Sequence, residues 1–300
     1  MGYETYTGIV AREVDTGEAD RYLTILSAER GKLECYARGI RKQNSKLASQ
    51  AGLMSFGEFQ IYKKGERRLL TSAKCVESFY NIRTDVVKCA YAVHFLEVAR
   101  DVIVEAQDFP EALQTLLNSL HVLCYRDLAP EFVARVFEIR ILSLAGFAPV
   151  LDRCSVCGKP PDDKQPADKP YENGLPADKN PESCQPEDGE TAGYYFAPYG
   201  EGLVCNCPEC KSAAGKLTRI SSGTLRAMKY VVECAAGDIF NFRISDAVSA
   251  GLAELIPVYL QRQLGREYNK HVEAERYRAF EREMSVRPGN PRAAEHWHTG

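Results

Sequence analysis

The chain has 300 residues, 45% of them apolar and 26% charged, the ordinary balance of a soluble globular protein of two or three domains. Its formal net charge of −3 excludes the global basicity of a protein that coats nucleic acid by charge alone, and the absence of an 18-residue apolar run excludes an expected membrane span. The eleven cysteines follow a start, Met-Gly-Tyr-Glu-Thr-Tyr, without secretory character, so a cytoplasmic location is expected, where clustered cysteines mean metal rather than disulfides.

Residues 4–14, 22–29, 32–39, 54–63 and 69–79 are rich in β-branched and aromatic residues and partly alternate. Gly- and charge-bearing turns separate them, at 15–20, 29–31 and 64–68. Five such strands at this spacing predict a small all-β barrel, of OB type, with an SH3-like barrel as the rival. From Cys35 to Gly57 there is no Asp or Glu, against four cations: Arg38, Arg41, Lys42 and Lys46. A second basic turn carries Lys63, Lys64, Arg67 and Arg68. Residues 1–80 hold thirteen Lys/Arg against ten Asp/Glu, so the first 80 residues are positive in a negative chain. Two such turns on one barrel suit a phosphate backbone, because each neutralised phosphate releases counterions. Tyr22, Tyr36, Phe56, Phe59 and Tyr62 are either core residues or faces on which bases stack.

The period changes near Ile82. Val87, Tyr91, His94, Phe95, Val98 and Val102 share one face of a helix expected to run to about Gln107, and a second helix is expected over 110–125. A third begins at Pro130, carries Phe132, Val133, Val136, Phe137, Ile141 and Leu144 on its apolar face, and ends at Gly146. Arg135 and Arg140 are expected on its exposed side. Residues 159–192, with seven Pro and nine Asp/Glu, read as an acidic insertion unable to bury enough surface to order itself, with Cys184 a bystander. Helices are expected again over 221–236 and 245–264, the latter interrupted at Pro257, with a charged helix over 267–283 and a frayed end over 285–300.

Cys154-Ser-Val-Cys157-Gly is answered by Cys205-Asn-Cys207-Pro-Glu-Cys210. Two residues between thiolates let one tight turn aim both sulfurs at one ion, and four thiolates around Zn²⁺ leave no open position for a substrate. The centre is therefore expected to be structural. Cys154, Cys157, Cys207 and Cys210 are the expected ligands, with Cys205 as the alternative third. No phosphate-binding loop, nucleophile elbow or metalloprotease motif occurs, and the carboxylates are scattered, so no catalysis is expected.

Gly17-Glu-Ala-Asp-Arg-Tyr-Leu-Thr-Ile-Leu26, Ala37-Arg-Gly-Ile-Arg-Lys42 and Arg135-Val-Phe-Glu-Ile-Arg-Ile-Leu-Ser-Leu-Ala-Gly-Phe-Ala-Pro149 leading into Arg153-Cys154-Ser-Val-Cys157-Gly-Lys159 together resemble the RecO family of bacterial recombination-repair proteins. The resemblance covers roughly residues 1–265. Where that family usually reads Gly-Gly-x-x-Cys-x-x-Cys, this chain has Glu201 for one Gly and Pro208 in place of the last Cys. Simple alignment therefore makes Cys205 the third ligand, whereas local geometry pairs Cys207 with Cys210. The resemblance implies a mediator that binds single- and double-stranded DNA, anneals complementary strands and contacts the acidic tail of single-strand-binding protein (SSB). With RecR, and often RecF, such proteins help RecA displace SSB. Arg135 and Arg140 are the residues nominated for the SSB tail.

The expected architecture is thus α+β and multidomain. Residues 1–80 form an OB barrel, 81–150 and 219–284 a helical domain in two parts, 151–218 an inserted four-Cys zinc lobe, and 285–300 a tail. A nucleoid-associated DNA repair protein is the function expected. A zinc-stabilised adaptor for RNA or protein is the alternative.

Overall fold

A computed structural model describes residues 2–105, 109–160, 194–269, 271–274 and 276. The acidic insertion beyond residue 160 with Cys184, most of the helix expected over 267–283, and the segment 285–300 lie outside the described residues. The chain divides into two compact units: Met1–Ala148, Val231–Arg243 and Leu260–Gly300 form one, and Pro149–Tyr230 with Ile244–Tyr259 the other.

The first unit opens with β1 (Gly2–Thr16), β2 (Asp20–Ser27), β3 (Gly31–Ala37), the short α1 (Lys46–Gln50), β4 (Phe56–Lys64) and β5 (Arg67–Glu77). The five strands close into a barrel in the order β1-β2-β3-β5-β4. Strand β1 is long enough to serve two partners: Gly2–Ile9 pairs with β4 and Gly8–Thr16 with β2, and a register shift between Val10 and Arg12 turns it from one to the other. Alternation decides which side chains enter. Leu23, Ile25, Leu33, Cys35, Phe59, Ile61 and Leu70 fill the interior, while their neighbours in sequence face out. The parallel closure of β3 on β5, where Tyr36 is opposite Leu69, completes the ring.

A 3-10 turn at Tyr80–Thr84 leads to α2 (Val86–Val102), followed by α3 (Pro110–Tyr125) and α4 (Pro130–Leu144). The Asp85 carboxylate accepts from the amides of Val87 and Lys88, which starts α2 at that residue rather than at Ile82. Every residue of α4 from Phe132 to Leu142 is buried. Such a helix is a core element covered on all sides, and its charged residues must find partners inside.

Arg135 and Arg140 are accordingly not on an exposed face, and the expectation that they receive the SSB tail fails on their burial. Arg135 is 2% exposed, and its Nη1 lies 2.9 Å from Oε2 of the fully buried Glu138. His94 Nε2 on α2 meets the other carboxylate oxygen at 2.6 Å, and His271 packs its ring 4.5 Å from that of His94. Burial pushes the Glu138 carboxyl up, but Arg135 and His94 outweigh it and hold the group below the usual carboxylate range. Arg140 donates to the Val232 carbonyl at 2.7 Å.

The second unit contains a three-stranded antiparallel sheet, β6 (Tyr194–Ala197), β7 (Gly202–Val204) and β8 (Thr218–Ile220), in the order β7-β6-β8, together with α5 (Pro208–Ala214). Helices α6 (Ser222–Glu233) and α7 (Asp246–Leu264) follow, and Pro257 lies inside α7 without ending it. Among the described residues, no helix is long and apolar enough to cross a membrane.

Candidate nucleic-acid interface and metal centre

The basic loop after β3 is held at its base rather than left free. The Asp20 carboxylate accepts from the Gly39 amide and the Tyr36 hydroxyl, and the Arg41 amide donates to the Ala19 carbonyl at 2.9 Å. Those two donors, with help from Arg38 and Lys42, pull the Asp20 carboxyl below its ordinary range. Gly39 takes the left-handed turn this path requires, at φ +67°. With its backbone fixed, the loop projects Arg38, Arg41, Lys42 and Lys46 into solvent. Arg41 keeps one weak tie, 3.4 Å from Asp15. Exposed pairs of this kind contribute little and exchange easily for another anion.

The second basic turn divides. Lys64 and Arg67 are exposed, whereas Lys63 and Arg68 are half-buried, and Arg68 is paired with Glu105 at 2.6 Å. Of the aromatic candidates, Phe59 belongs to the barrel core and Phe56 is half-buried near its end. Tyr22, Tyr36 and Tyr62 face outward, with Tyr22 and Tyr36 forming a ring pair at 5.2 Å between centroids. Tyr3, which the sequence pattern did not single out, packs beside Tyr62 with ring centroids 5.2 Å apart and planes tilted by 51°. Its signal was the two-residue period of β1, which puts Tyr3 on the face opposite to Tyr6.

In the second unit the structure groups Cys154, Cys157, Cys205 and Cys210, their sulfurs all within 4.8 Å of one another. Cys207 is not in that group. As the N-cap of α5 it turns its thiol to Glu209, with Sγ 2.7 Å from Oε2, while Cys210 in the first turn of the helix points inward. Cys205 is delivered instead by β7. The Leu203 amide donates to the Val150 carbonyl at 2.8 Å, the Ser155 amide to the Leu203 carbonyl at 2.8 Å, and the Cys205 amide to Cys154 Sγ at 3.4 Å. Gly202 permits the approach. Its φ is +141°, and a Cβ there would stand 2.3 Å from the Val150 oxygen. The expected pairing of Cys207 with Cys210 is therefore replaced by Cys205 with Cys210, because strand register rather than local spacing sets the third sulfur.

The donor set fits a tetrahedral thiophilic ion. Zinc–sulfur bonds of about 2.3 Å place neighbouring sulfurs about 3.8 Å apart, and Cys157 Sγ and Cys205 Sγ are 3.8 Å apart. Burial opposes ionisation of Cys154, yet the amides of Cys157, Cys205 and Val156 converge on its sulfur and bring it down to about 6. Burial raises Cys205 and Cys210, and in Cys210 the neighbouring thiols reinforce it. Four sulfurs so close cannot all carry charge unless a cation compensates them.

A cation-rimmed barrel, a helical body and a four-thiol lobe define an α+β protein with a five-stranded barrel and a cysteine cluster consistent with a structural zinc site. Comparison with known proteins is specific. The family described as Recombination protein O matches twice, its N-terminal part over residues 1–79 and its C-terminal part over residues 83–192. A DNA repair protein RecO of Acetivibrio thermocellus is 32% identical over 270 residues, covering 90% of this chain and 95% of the relative. Another, from Symbiobacterium thermophilum, is 29% identical over 260 residues, 87% of this chain and 92% of its own length. The chain belongs to the RecO family.

Proposed function

We propose that this protein serves DNA repair and recombination as a non-catalytic mediator that holds single- and double-stranded DNA on the cationic side of its barrel. The observation that carries the reading is the anchored loop 38–46, which presents four exposed cations and no carboxylate. The strand order, with α1 between β3 and β4, supports assigning the barrel to the OB class, whose members commonly bind oligonucleotides. The RecO relatives, named as DNA repair proteins, support the biological role.

Annealing on such a surface needs no hydrolysis. Cations that screen two strands at once let base pairing drive the joining. Lys64 and Arg67 extend the track, with Lys63 and Arg68 behind them. Zn²⁺ held by Cys154, Cys157, Cys205 and Cys210 would tie β7 and α5 to the 154–157 turn and so convert metal affinity into folding free energy. RecR, the SSB tail and RecA are the partners the family membership supports, with RecF in addition, in the cytoplasm at the nucleoid.

The test is electrophoretic mobility shift with single-stranded DNA, duplex DNA and RNA across a salt series. Wild type should bind both DNA forms with a steep inverse dependence on salt. The Arg41→Glu/Lys42→Glu variant should weaken binding at least tenfold at low salt and flatten the log–log slope by about one for each phosphate no longer neutralised. Unchanged affinity would remove the loop from the reading, and preference for RNA would favour an adaptor role.

A further inference from the structure

Five outward-facing side chains, one on each strand of the barrel, stand in mutual register. Tyr22 is opposite Tyr36 across β2 and β3, and Tyr36 is opposite Leu69 across the β3–β5 seam. Leu69 is opposite Tyr62 across β5 and β4, and Tyr62 is opposite Tyr3 across β4 and β1. Most are preceded or followed in their strand by a residue of the barrel core: Leu23, Cys35, Leu70 and Ile61. The result is one continuous apolar and aromatic row running across the strands. At the usual strand spacing of about 4.8 Å it is about 19 Å long.

The row is exposed where a ligand needs it. Tyr3 is 66% exposed and Tyr22 51%, at its two ends, while Tyr36, Leu69 and Tyr62 between them are half-buried. The Tyr36 hydroxyl is held by Asp20, which fixes that ring in place. Lys64 and Arg67 flank the row on one side, two residues along their strands from Tyr62 and Leu69. Arg38, two residues beyond Tyr36, begins the anchored basic loop on the other. Exposed Glu34 stands two residues from Tyr36 on the same face. Charge alone thus does not favour a phosphate chain directly over the row.

We infer that the Tyr22–Tyr36–Leu69–Tyr62–Tyr3 row is a stacking path for the unpaired bases of single-stranded DNA, flanked by cations that take its phosphates. Bases in a duplex already stack on one another and offer no free face, so a duplex meets only the basic loops. The row therefore separates the two substrates: it adds affinity for single strands and none for duplex. Its length suits the lower end of the roughly 4–16 nucleotides that one barrel of this class covers. This inference rests on the proposed reading of the barrel as the DNA-binding surface.

The test compares wild type with Tyr3→Ala/Tyr22→Ala and Tyr3→Phe/Tyr22→Phe. Both sites are exposed, so the barrel core is untouched. The probes are an oligothymidylate, an abasic strand of equal length, and a duplex of equal length. Stacking lost at two rings should weaken oligothymidylate binding by about tenfold or more in the Ala variant. Duplex binding should change by less than about twofold, and the Phe variant should bind as wild type. Wild type should bind the abasic strand at least as weakly as the Ala variant binds oligothymidylate, because Tyr36, Leu69 and Tyr62 remain in that variant. Equal loss on all probes, or no loss on oligothymidylate, would overturn the row. Those outcomes are separate from failure of the barrel reading, in which the Arg41→Glu/Lys42→Glu variant leaves every probe bound as before.

Discussion

Replacing Arg135 with Met tests whether this arginine is a structural ion rather than a docking residue. The Arg135–Glu138 separation of 2.9 Å corresponds, at an effective dielectric near 20, to an attraction of about 6 kcal/mol. Desolvation of both groups offsets much of that, so the pair itself adds little. Removing one member is different, because Glu138 then keeps its burial cost without its guanidinium partner, with His94 hydrogen-bonded to it and His271 nearby. Breaking such a pair costs about 3–5 kcal/mol, a large share of the roughly 5–15 kcal/mol that holds a domain folded. Replacing both, as Arg135→Met/Glu138→Leu, removes the stranded charge and should recover at least about 2 kcal/mol of that loss. Urea unfolding followed by circular dichroism, with amide exchange on α4 to isolate its unit, measures both values. A single variant within about 1 kcal/mol of wild type would refute the argument, as would a double variant no better than the single.

Metal analysis should find one Zn²⁺ per chain in wild type and in Cys207→Ser, and markedly less in Cys205→Ser; the reverse pattern would return Cys207 to the ligand set. Gly202→Ala should lower metal content too, because its Cβ would drive β7 off Val150; retention of full zinc and normal stability would show that the strand gives way freely. Stability should fall between about pH 6.5 and 4. Burial first, then His94 and Arg135, depress His271 to about 4 from an ordinary 6.5, while Glu138 opposes them. In that window the unfolded chain binds the proton that the folded chain refuses, so stability present above pH 6.5 is lost as pH falls. The full effect is about 3 kcal/mol. Melting of wild type and His271→Phe at pH 7 and pH 4.5 checks it, and an identical pH loss in both would place the effect elsewhere.

The barrel strands were legible because alternation and turn residues are local signals: the outward Tyr22 and inward Leu23 differ by one position and by chemistry alone. Helices α2, α3 and α4 followed from apolar period in the same way, although Asp85 as cap was missed and α2 begins there. The third sulfur was legible only through the family resemblance, whose alignment gave Cys205, and not from local spacing, which favoured Cys207. Cys207 and Cys210 have the better local spacing, but the hydrogen bonds of β7 to residues 150–155 carry Cys205 to Cys154, and register with a distant segment leaves no local trace. Arg135 and Arg140 were misplaced for a related reason. Periodicity finds the apolar face of α4, yet it does not reveal that the opposite face is covered too, or that His94, 44 residues earlier, closes on Glu138.

The first unit is assembled from three separated stretches of chain, the last beginning at Leu260. During synthesis, Arg135 leaves the ribosome 136 residues ahead of His271, whose ring it meets in the finished protein. At roughly 5–20 residues per second that is a wait on the order of ten seconds. Throughout it, α4 carries charges whose enclosure is incomplete, so a nascent chain stalled before residue 271 should remain open to proteases around this helix while its barrel is already closed.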